Sequence, residues 1–321
     1  MPTESRTLLP PRSAWQRLRE HYGPGVHGWL ARAPERFDEA AQRWQLILHR
    51  YHDAGHASLL MVAHERGSGR EVLLKAWPEH SRYRNEVAAL GIWADGPAVK
   101  VLNHADDLGI AALEVVAAIP GGAAGPANHE HEDVAAALRQ LHRIGRGATA
   151  TATAAALPGL RDYLDGELIP RVHRRLAAQR PQAEVDWARL GESLVTGLHP
   201  DETRATVLHA DVYRENVLFD HDRKPVLADP LPMTGDEIFD WAFWTVYYNL
   251  GAGTRDRFET AAVTADLDPR RLRHWSLALC VDGLLYYREV EDHRAPTMER
   301  VIAGLAADLD LTALPERTGR T

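Results

Sequence analysis

Two acidic side chains and one amide lie along a short stretch of this chain in the order that metal-dependent group transfer requires. Asp211 lies in the segment from His209 to Asn216, and Asp229 follows further along. The residues between Asn216 and Asp229 form two short apolar runs around a polar turn, a pattern that predicts a β-hairpin. Such a hairpin places Asn216 and Asp229 at adjacent strand ends, where both side-chain oxygens can face one Mg²⁺.

Phosphoryl transfer from a nucleotide needs these groups, with a metal on the phosphates and a carboxylate that orients the attacking hydroxyl. Asp211 is the candidate base or orienting group, and its position matters more than its basicity. Arg214 is a candidate contact to the transferring phosphate or the acceptor, with a surface salt bridge as the alternative. His209 is expected to brace the loop. A buried unpaired carboxylate at Asp240 would be costly, so we expect Asp240 to accept backbone N–H groups from the loop.

A second set of candidate residues would handle the nucleotide. Lys75 ends an apolar strand and Glu86 lies on the helix that follows, so Glu86 can orient a lysine that contacts the α- and β-phosphates. Ser58 lies in a turn that would cover the phosphates, although this turn has one glycine and lacks the full G-x-G-x-x-G pattern. Glu114 and Val116 end the last strand of this part, where backbone groups could pair with the edge of adenine.

The bulk composition is that of an ordinary globular protein. The chain has 321 residues, of which 45% are hydrophobic and 26% charged, and its net charge of −8 argues against nucleic acid as a partner. Cys280 is the single cysteine, which excludes a disulfide framework within the chain and a cysteine-based zinc site. Neither a signal peptide nor a membrane-spanning apolar stretch is present in the sequence, so we expect a cytoplasmic protein without a membrane partner.

The order of predicted elements indicates two lobes. Residues 12–43 are predicted to be helical with a break at 23–25, and a small sheet with one inserted helix follows. From residue 117 onward helices predominate, apart from the hairpin, and residues 145–156 are expected to form a surface connection. We therefore predict an α+β protein with a β-rich N-lobe over 1–116, preceded by a helical extension, and a mainly helical C-lobe over 117–321. The predicted strands are 44–49, 57–64, 71–77, 99–102 and 110–116, and the strongest predicted helices are 82–93, 133–144, 241–250 and 275–288.

Three motifs together resemble the aminoglycoside phosphotransferase-like, or antibiotic kinase, family. They are an H-x-D-x-x-x-x-N-V-L loop from His209 to Leu218, a D-P-x-P element from Asp229 to Pro232, and a G-D-x-x-x-D segment from Gly235 to Asp240. The chain is most similar to the branch of streptomycin 6-phosphotransferases and hydroxyurea-resistance kinases. Ala210, Val212 and Tyr213 depart from the usual residues around the catalytic aspartate, and Glu237 replaces a common proline.

The resemblance implies a bilobal protein-kinase-like fold and an O-phosphotransferase that uses ATP, or GTP, with Mg²⁺. It assigns Asp211 as the base, Asn216 and Asp229 as metal ligands, and Lys75 with Glu86 to the nucleotide phosphates. Asp240 supports the loop. The implied product is a phosphorylated, inactivated small-molecule antibiotic, and the implied effect is resistance.

The acceptor is expected between the 209–216 loop and the C-lobe helices. Aromatic residues at helical spacing are usually core, but tyrosine and tryptophan also stack on a flat ring or sugar face. A polycationic acceptor would favour a dense carboxylate cluster, whereas this region mixes aromatics with few acids. A nucleoside-type antibiotic therefore competes with an aminoglycoside such as streptomycin, and a peptide antibiotic stays open. The candidate acceptor residues are Asp236, Trp244, Tyr247, Tyr248, Trp275, Asp282, Tyr286, Tyr287 and Glu289.

Three other functions remain open from the residues alone. The chain could be a kinase of primary metabolism that acts on a sugar or an amino alcohol. It could be a nucleotide-binding pseudokinase that serves as an interaction module, although the complete set of Lys75, Asp211, Asn216 and Asp229 argues against this. A metal-dependent hydrolase that uses His209 and Asp211 is the most remote alternative.

Overall fold

A computed structural model describes residues 8–53, 55–116, 119–120, 129–178 and 187–307 of the chain. These residues belong to two compact units. Unit 1 comprises Met1–Ala118 and Phe219–Ala228, and unit 2 comprises Ile119–Leu218 and Asp229–Thr321. The segment Phe219–Ala228 thus belongs to unit 1, whereas a single division after residue 116 leaves it with the C-terminal part.

Unit 1 is built on a five-stranded sheet with the strand order β1-β2-β3-β5-β4. Each pair of neighbours is antiparallel. Lys75 lies in the central strand, opposite Leu60 of one neighbour and Ala111 of the other. A helix, α3, is inserted between β3 and β4, as the sequence predicts. The strands are β1 (Leu46–His52), β2 (Leu59–Glu65), β3 (Glu71–Ala76), β4 (Val101–Ala105) and β5 (Ile110–Glu114), and two helices, α1 (Arg12–Tyr22) and α2 (His27–Arg43), precede α3 (His80–Ile92).

The N-terminal helices share one apolar core with the sheet. Leu18 of α1 and Phe37 of α2 are fully buried in the same cluster as Met61 and Leu74 of the sheet. The break between the helices falls at Gly23, whose φ of 73° lies in the left-handed region that glycine tolerates. The helical extension is therefore an integral part of unit 1.

The predicted hairpin is present as two strands, β8 (Val217–Phe219) and β9 (Pro225–Leu227), after a two-residue strand β6 (Ile119–Pro120) and a strand β7 (Ala205–Leu208). The turn between β8 and β9 is closed by the Asp220 N–H, which donates to the Lys224 carbonyl at 3.0 Å. Within unit 1, the Leu227 N–H donates to the Pro97 carbonyl, and the Val99 N–H donates to the Leu227 carbonyl. These bonds explain why the segment after Leu218 belongs to unit 1.

Unit 2 is mainly helical. Its described helices are α4 (Glu130–Ala148), α5 (Ala152–Ala155), α6 (Leu160–Tyr163), α7 (Ile169–Ala178), α8 (Trp187–Thr196), α9 (Ile238–Tyr247), α10 (Thr254–Thr264), α11 (Pro269–Glu289) and α12 (Ala295–Ala306). Strand β7 pairs antiparallel with β10 (Met233–Asp236). Trp241, Trp244 and Trp275 are buried in the core of this unit.

The surface connection expected at residues 145–156 was wrong in part, because α4 continues through Ala148 and α5 occupies much of the remainder. A Cβ at Gly145 would lie 2.6 Å from Thr206 Oγ1, so glycine here lets the helix approach β7 closely. The glycine is thus a packing residue and does not end the helix. Among the described residues, no helix is long and apolar enough to span a membrane.

Candidate active site

Lys75 and Glu86 form a buried ion pair in unit 1. The Lys75 Nζ donates to Glu86 Oε1 at 2.7 Å and to Oε2 at 2.9 Å. Both side chains are about 5% exposed. Removing one member of such a pair leaves an uncompensated charge, at a cost of about 3–5 kcal/mol. The pair therefore holds the ammonium group in one position, which is what contact with nucleotide phosphates would need.

Trp77 is a further member of this site that the sequence analysis missed. Its indole N–H donates to Glu86 Oε2 at 2.9 Å, and Lys75 Nζ lies 4.9 Å from the centroid of its ring. The tryptophan thus contacts both charges of the pair. Its position two residues after Lys75 at the end of the strand is a signal that could have revealed it.

The other predicted nucleotide residues lie at the edges of the same unit. Ser58 is buried. A Cβ added at Gly55 would lie 2.6 Å from the Ser58 carbonyl oxygen, so the backbone of the turn is closely packed here. The Glu114 carboxylate accepts the Lys100 N–H at 2.9 Å and Val116 is half-buried. The carboxylate of Glu114 thus holds the start of β4, and any contact to adenine would fall to backbone groups.

The loop with Asp211 is built around Asp240 in unit 2. The Asp240 carboxylate is fully buried and accepts the His209 N–H at 2.8 Å and the Ala210 N–H at 2.7 Å. These are the hydrogen bonds predicted for Asp240. Ala210 has a φ of 58°, a left-handed conformation that costs a residue with a Cβ roughly 1–2 kcal/mol. The two bonds to Asp240 offset this strain and fix the backbone immediately before Asp211.

Asn216 holds the Asp211 side chain. The Asn216 Nδ2 donates to the Asp211 carbonyl and to Asp211 Oδ2, both at 2.8 Å. Because both bonds use the amide nitrogen, the Asn216 Oδ1 points away from Asp211. The His209 ring also contacts this loop, since the Asp211 N–H donates to His209 Nδ1 at 3.3 Å. His209 therefore has the position expected of a bracing residue.

The residues around Asp229 fit a Mg²⁺ site. Asp229 is exposed and has a left-handed φ of 58°, a conformation that aspartate adopts more readily than most residues. The following Leu231 N–H donates to the His209 carbonyl at 2.9 Å, which ties this segment to the loop. No cluster of three or more His, Cys, Asp or Glu side chains in the described part could hold a metal. Asn216 Oδ1 and an Asp229 oxygen suit Mg²⁺, which binds few protein ligands and keeps waters and substrate phosphates as the others.

Behind Asp240 lies a buried charge network. His142 Nε2 lies 2.8 Å from Asp240 Oδ2 and its Nδ1 lies 3.4 Å from Glu237 Oε2. Burial opposes the charged imidazole, but the hydrogen bond to Asp240 and the nearby Glu237 carboxylate raise the pKa of His142 above its usual value. Burial likewise opposes the Glu237 carboxylate, but His142, Arg204 and Arg146 lower its pKa to about 2. His142 thus lies between two carboxylates under the loop, and both favour its protonated form.

Arg214 does not project freely from the loop. Its Nε and Nη2 donate to the two carboxylate oxygens of Glu130, both at 3.2 Å, and Glu130 is buried. The Tyr248 hydroxyl donates to the same carboxylate at 2.7 Å. Arg214 therefore forms a salt bridge, as one of the two alternatives predicted, but its partner Glu130 is a buried residue in the first turn of α4 and not a surface residue. The sequence analysis missed Glu130, whose place at a helix start is typical of a residue that only favours the helix dipole.

Several residues that were predicted to contact the acceptor are instead buried inside unit 2. Trp244 and Trp275 are 0% and 1% exposed, so they belong to the core and correct the prediction of an acceptor surface. Asp236 is also buried, accepts the Asp201 and Ile238 N–H groups, and pairs with Arg271. Its carboxylate thus accepts the first N–H of α9 and is paired with an arginine, so contact with an acceptor would cost these partners.

Three predicted acceptor residues line a cavity of about 230 Å³ in unit 2, here called the tyrosine cavity. Tyr213 and Arg214 of the loop line it as well. The sequence analysis missed Arg294, which also lines it. The cavity is lined by Tyr213, Arg214, Glu215, Tyr247, Tyr248, Asn249, Leu250, Tyr287 and Arg294. Tyr286 lies elsewhere, exposed, with the Arg175 guanidinium 5.1 Å from its ring centroid.

The end of α9, where Tyr247 and Tyr248 lie, is held by a buried arginine. Arg257 donates to the carbonyls of Thr245, Asn249 and Ala252 at 2.9, 3.1 and 2.7 Å. Burial lowers its pKa to about 10. The guanidinium satisfies carbonyls that the helix end leaves open and carries positive charge where the helix dipole favours it.

Residues 43–290 match the family model described as aminoglycoside/hydroxyurea antibiotic resistance kinase. A streptomycin 6-kinase of Streptomyces glaucescens is 26% identical over 287 residues, which cover 85% of this chain and 88% of that protein. These matches bear out the resemblance that the motifs indicate.

Two solved structures share the fold. A macrolide 2'-phosphotransferase from Brachybacterium faecium has a TM-score of 0.56 at 15% identity, covering 85% of this chain and 98% of its own. An aminoglycoside phosphotransferase in ternary complex with ADP and hygromycin B has a TM-score of 0.58 at 15% identity, covering 84% of this chain and 98% of its own. The predicted α+β, protein-kinase-like fold is confirmed.

The hydrogen bond from Trp77 predicts a stability effect in unit 1. Trp77→Phe removes a donor to a buried charged carboxylate, so it should lower the free energy of unfolding by about 1.5–3 kcal/mol, measured by urea denaturation. Trp29→Phe is the control, because its indole nitrogen has no hydrogen-bond partner among the described residues. Equal losses in the two variants would show that the Trp77 bond contributes nothing specific.

The raised pKa of His142 predicts a pH dependence of stability. Above the unfolded value of about 6.5, the folded protein keeps a proton that the unfolded chain releases, so stability falls as pH rises through the folded pKa. Urea unfolding between pH 6 and pH 9 should show this decline in the wild type and a smaller one in His142→Gln. His221→Gln, in an exposed turn, is the control and should keep the wild-type slope. An unchanged slope in His142→Gln would contradict a charged His142.

The bonds of Glu130 predict an effect on turnover. Glu130→Gln keeps the shape but removes the charge that holds Arg214, so kcat should fall by about tenfold with the nucleotide KM unchanged. Glu132→Gln, an exposed change in the same turn of α4, should leave kcat at the wild-type value. If the Glu130→Gln enzyme had a normal kcat and a lower Tm, Glu130 would have only a structural role.

Proposed function

Because the chain belongs to the aminoglycoside/hydroxyurea antibiotic resistance kinase family, we propose that it transfers the γ-phosphoryl group of Mg-ATP to a hydroxyl of a small-molecule antibiotic and so confers resistance. Family membership makes the chain a phosphotransferase with an alcohol acceptor. The proposal adds the nucleotide, the metal, the roles of individual residues and the antibiotic acceptor.

One observation carries the proposal more than any other. Asn216 fixes the Asp211 carboxylate through its amide nitrogen, so its Oδ1 is the end that would bind the metal. A single short loop thus supports both the group that positions the hydroxyl and one ligand of the ion. A loose phosphoryl-transfer transition state needs such positioning more than it needs a strong base.

In the proposed reaction, the acceptor hydroxyl is oriented by the Asp211 carboxylate, which takes up its proton. The hydroxyl oxygen bonds to the γ-phosphorus, the bond from that phosphorus to the β–γ bridging oxygen breaks, and ADP leaves. Lys75, fixed by Glu86, offsets negative charge on the nucleotide phosphates. Mg²⁺, held by Asn216 and Asp229, would supply further neutralisation of that charge when bound.

The role of Asp211 is tested by Asp211→Ala. Transfer to the acceptor should fall by about 10²–10⁴ because the hydroxyl loses its orienting carboxylate, while binding of a fluorescent ATP analogue stays unchanged. Asp222→Ala, in an exposed turn, is the matched control and should retain wild-type transfer. Near-normal turnover of Asp211→Ala would contradict the assignment of Asp211 as the group that orients the hydroxyl.

The antibiotic acceptor is tested with purified protein and Mg-ATP against antibiotics, sugars and amino alcohols, with gain of one phosphate followed by mass spectrometry. Phosphorylation of an antibiotic, together with protection of a sensitive host, is expected. Transfer to a sugar or amino alcohol alone would identify a metabolic kinase. Nucleotide binding without ADP release across the panel would identify a pseudokinase.

A further inference from the structure

Resting on the proposed function, we propose that the acceptor is a hydroxyl compound with a flat ring and at most one positive charge, and that its ring binds in the tyrosine cavity. The family model and the relatives leave the acceptor open. The charges and aromatic rings around the cavity favour an acceptor with a flat ring and few positive charges.

The cavity lies beside the residue proposed to orient the hydroxyl. The Tyr213 N–H donates to the Asp211 carbonyl at 2.9 Å, and Tyr213 lines the cavity. A molecule in the cavity therefore lies next to the loop that would receive its hydroxyl. For this reason the ring of the acceptor is assigned to this cavity.

The wall of the cavity is aromatic. Tyr213 packs edge-on against Phe243 at 5.0 Å and against Tyr247 at 5.7 Å between ring centroids, and Phe243 lies 4.8 Å from Tyr247. Such rings supply apolar faces and polar edges, which suits a planar ligand. The volume of about 230 Å³ is below the 300–1,000 Å³ that is typical of pockets for drug-sized ligands. A cavity of this size holds one ring system, and further sugars of a larger compound would lie outside it.

The carboxylates near this wall are already neutralised by arginines. Asp282 of α11 directly precedes Gly283. A Cβ added at Gly283 would clash with the Tyr247 hydroxyl, so this part of α11 packs closely against the cavity tyrosine Tyr247. Its carboxylate pairs with Arg171 at 2.8 Å and with Arg175 at 3.0 Å. Arg175 also pairs with Glu289 at 2.7 Å. Neither predicted acceptor carboxylate is therefore available without loss of an existing ion pair.

The arginines that line the cavity are paired in the same way. Arg214 is held by Glu130, and Arg294 pairs with Asp292 at 2.7 Å. Glu215 is the exposed carboxylate of the lining, and it has no ion pair among the residues that the structure describes. One carboxylate can match one cationic group. A compound with several ammonium or guanidinium groups would meet two guanidinium groups, and its further cations would have to compete with these arginines for their carboxylate partners.

The proposal is tested by binding and transfer with two sets of compounds. Puromycin and tubercidin carry a flat ring and at most one positive charge, whereas streptomycin and hygromycin B are polycations. With wild-type protein, isothermal titration calorimetry should show at least tenfold tighter binding of the first set. Transfer from Mg-ATP, followed by mass gain, should show the same preference in kcat/KM.

A charge reversal in the cavity provides the matched variant. Arg294→Glu replaces the guanidinium beside Asp292 by a carboxylate, in a lining that also holds Glu215, so affinity for streptomycin should rise at least tenfold. Arg255→Glu makes the same change on α10, where the side chain is 89% exposed, and should leave streptomycin binding at the wild-type value. Circular dichroism establishes that both variants are folded.

The outcomes separate this inference from the proposed function. Tighter binding of the polycations by the wild type, or binding of neither set, overturns the inference, and phosphorylation of streptomycin alone does so while the proposed function stands. Binding of ring compounds without transfer to any acceptor overturns the proposed function and the assignment of these compounds as acceptors, although the cavity then still binds flat rings. An equal gain in Arg294→Glu and Arg255→Glu shows that the cavity is not the site.

Discussion

The arrangement of the loop from His209 to Asn216 depends on one buried carboxylate. Asp240 accepts the N–H groups of His209 and Ala210 and an imidazole hydrogen bond from His142, so each of its oxygens is satisfied away from water. A buried carboxylate without such partners would be very unfavourable. Because its bonds hold Ala210 in a left-handed conformation, the backbone direction into Asp211 follows from it. Asn216 then fixes the side chain of Asp211 from the other side.

Arginine side chains play a similar part elsewhere in unit 2, where they supply hydrogen bonds to oxygens that are shielded from water. Arg257 closes the end of α9 through carbonyl groups, while Arg171 and Arg175 share the carboxylate of Asp282. Arg214 reaches a buried glutamate. In each case a guanidinium supplies several donors in a fixed plane, which a lysine could not do. The consequence is that the carboxylates of Asp282 and Glu130 already have guanidinium partners within unit 2.

Much of the fold could be predicted because it is encoded locally. The strands of unit 1 and the helices α9 and α11 occur within a few residues of the positions that apolar periodicity indicates, and the break between α1 and α2 falls at its glycine. The predictions that were wrong have a common cause. Gly145 suggested a connection but packs against Thr206, and Trp244 and Trp275 suggested a ligand surface but fill the core. In both cases the outcome depends on contacts with residues far along the chain.

By itself, the sequence determined the chemical groups of the candidate site, because Asp211, Asn216 and Asp229 are spaced by local loop and hairpin geometry. Only the tertiary structure decided which charges are available. Glu130 and Tyr248 are separated by 118 residues and Arg171 and Asp282 by 111, yet each pair is hydrogen-bonded. The physical reason is that ion pairing depends on distance in space and on exclusion of water, and periodicity along the chain encodes neither of them.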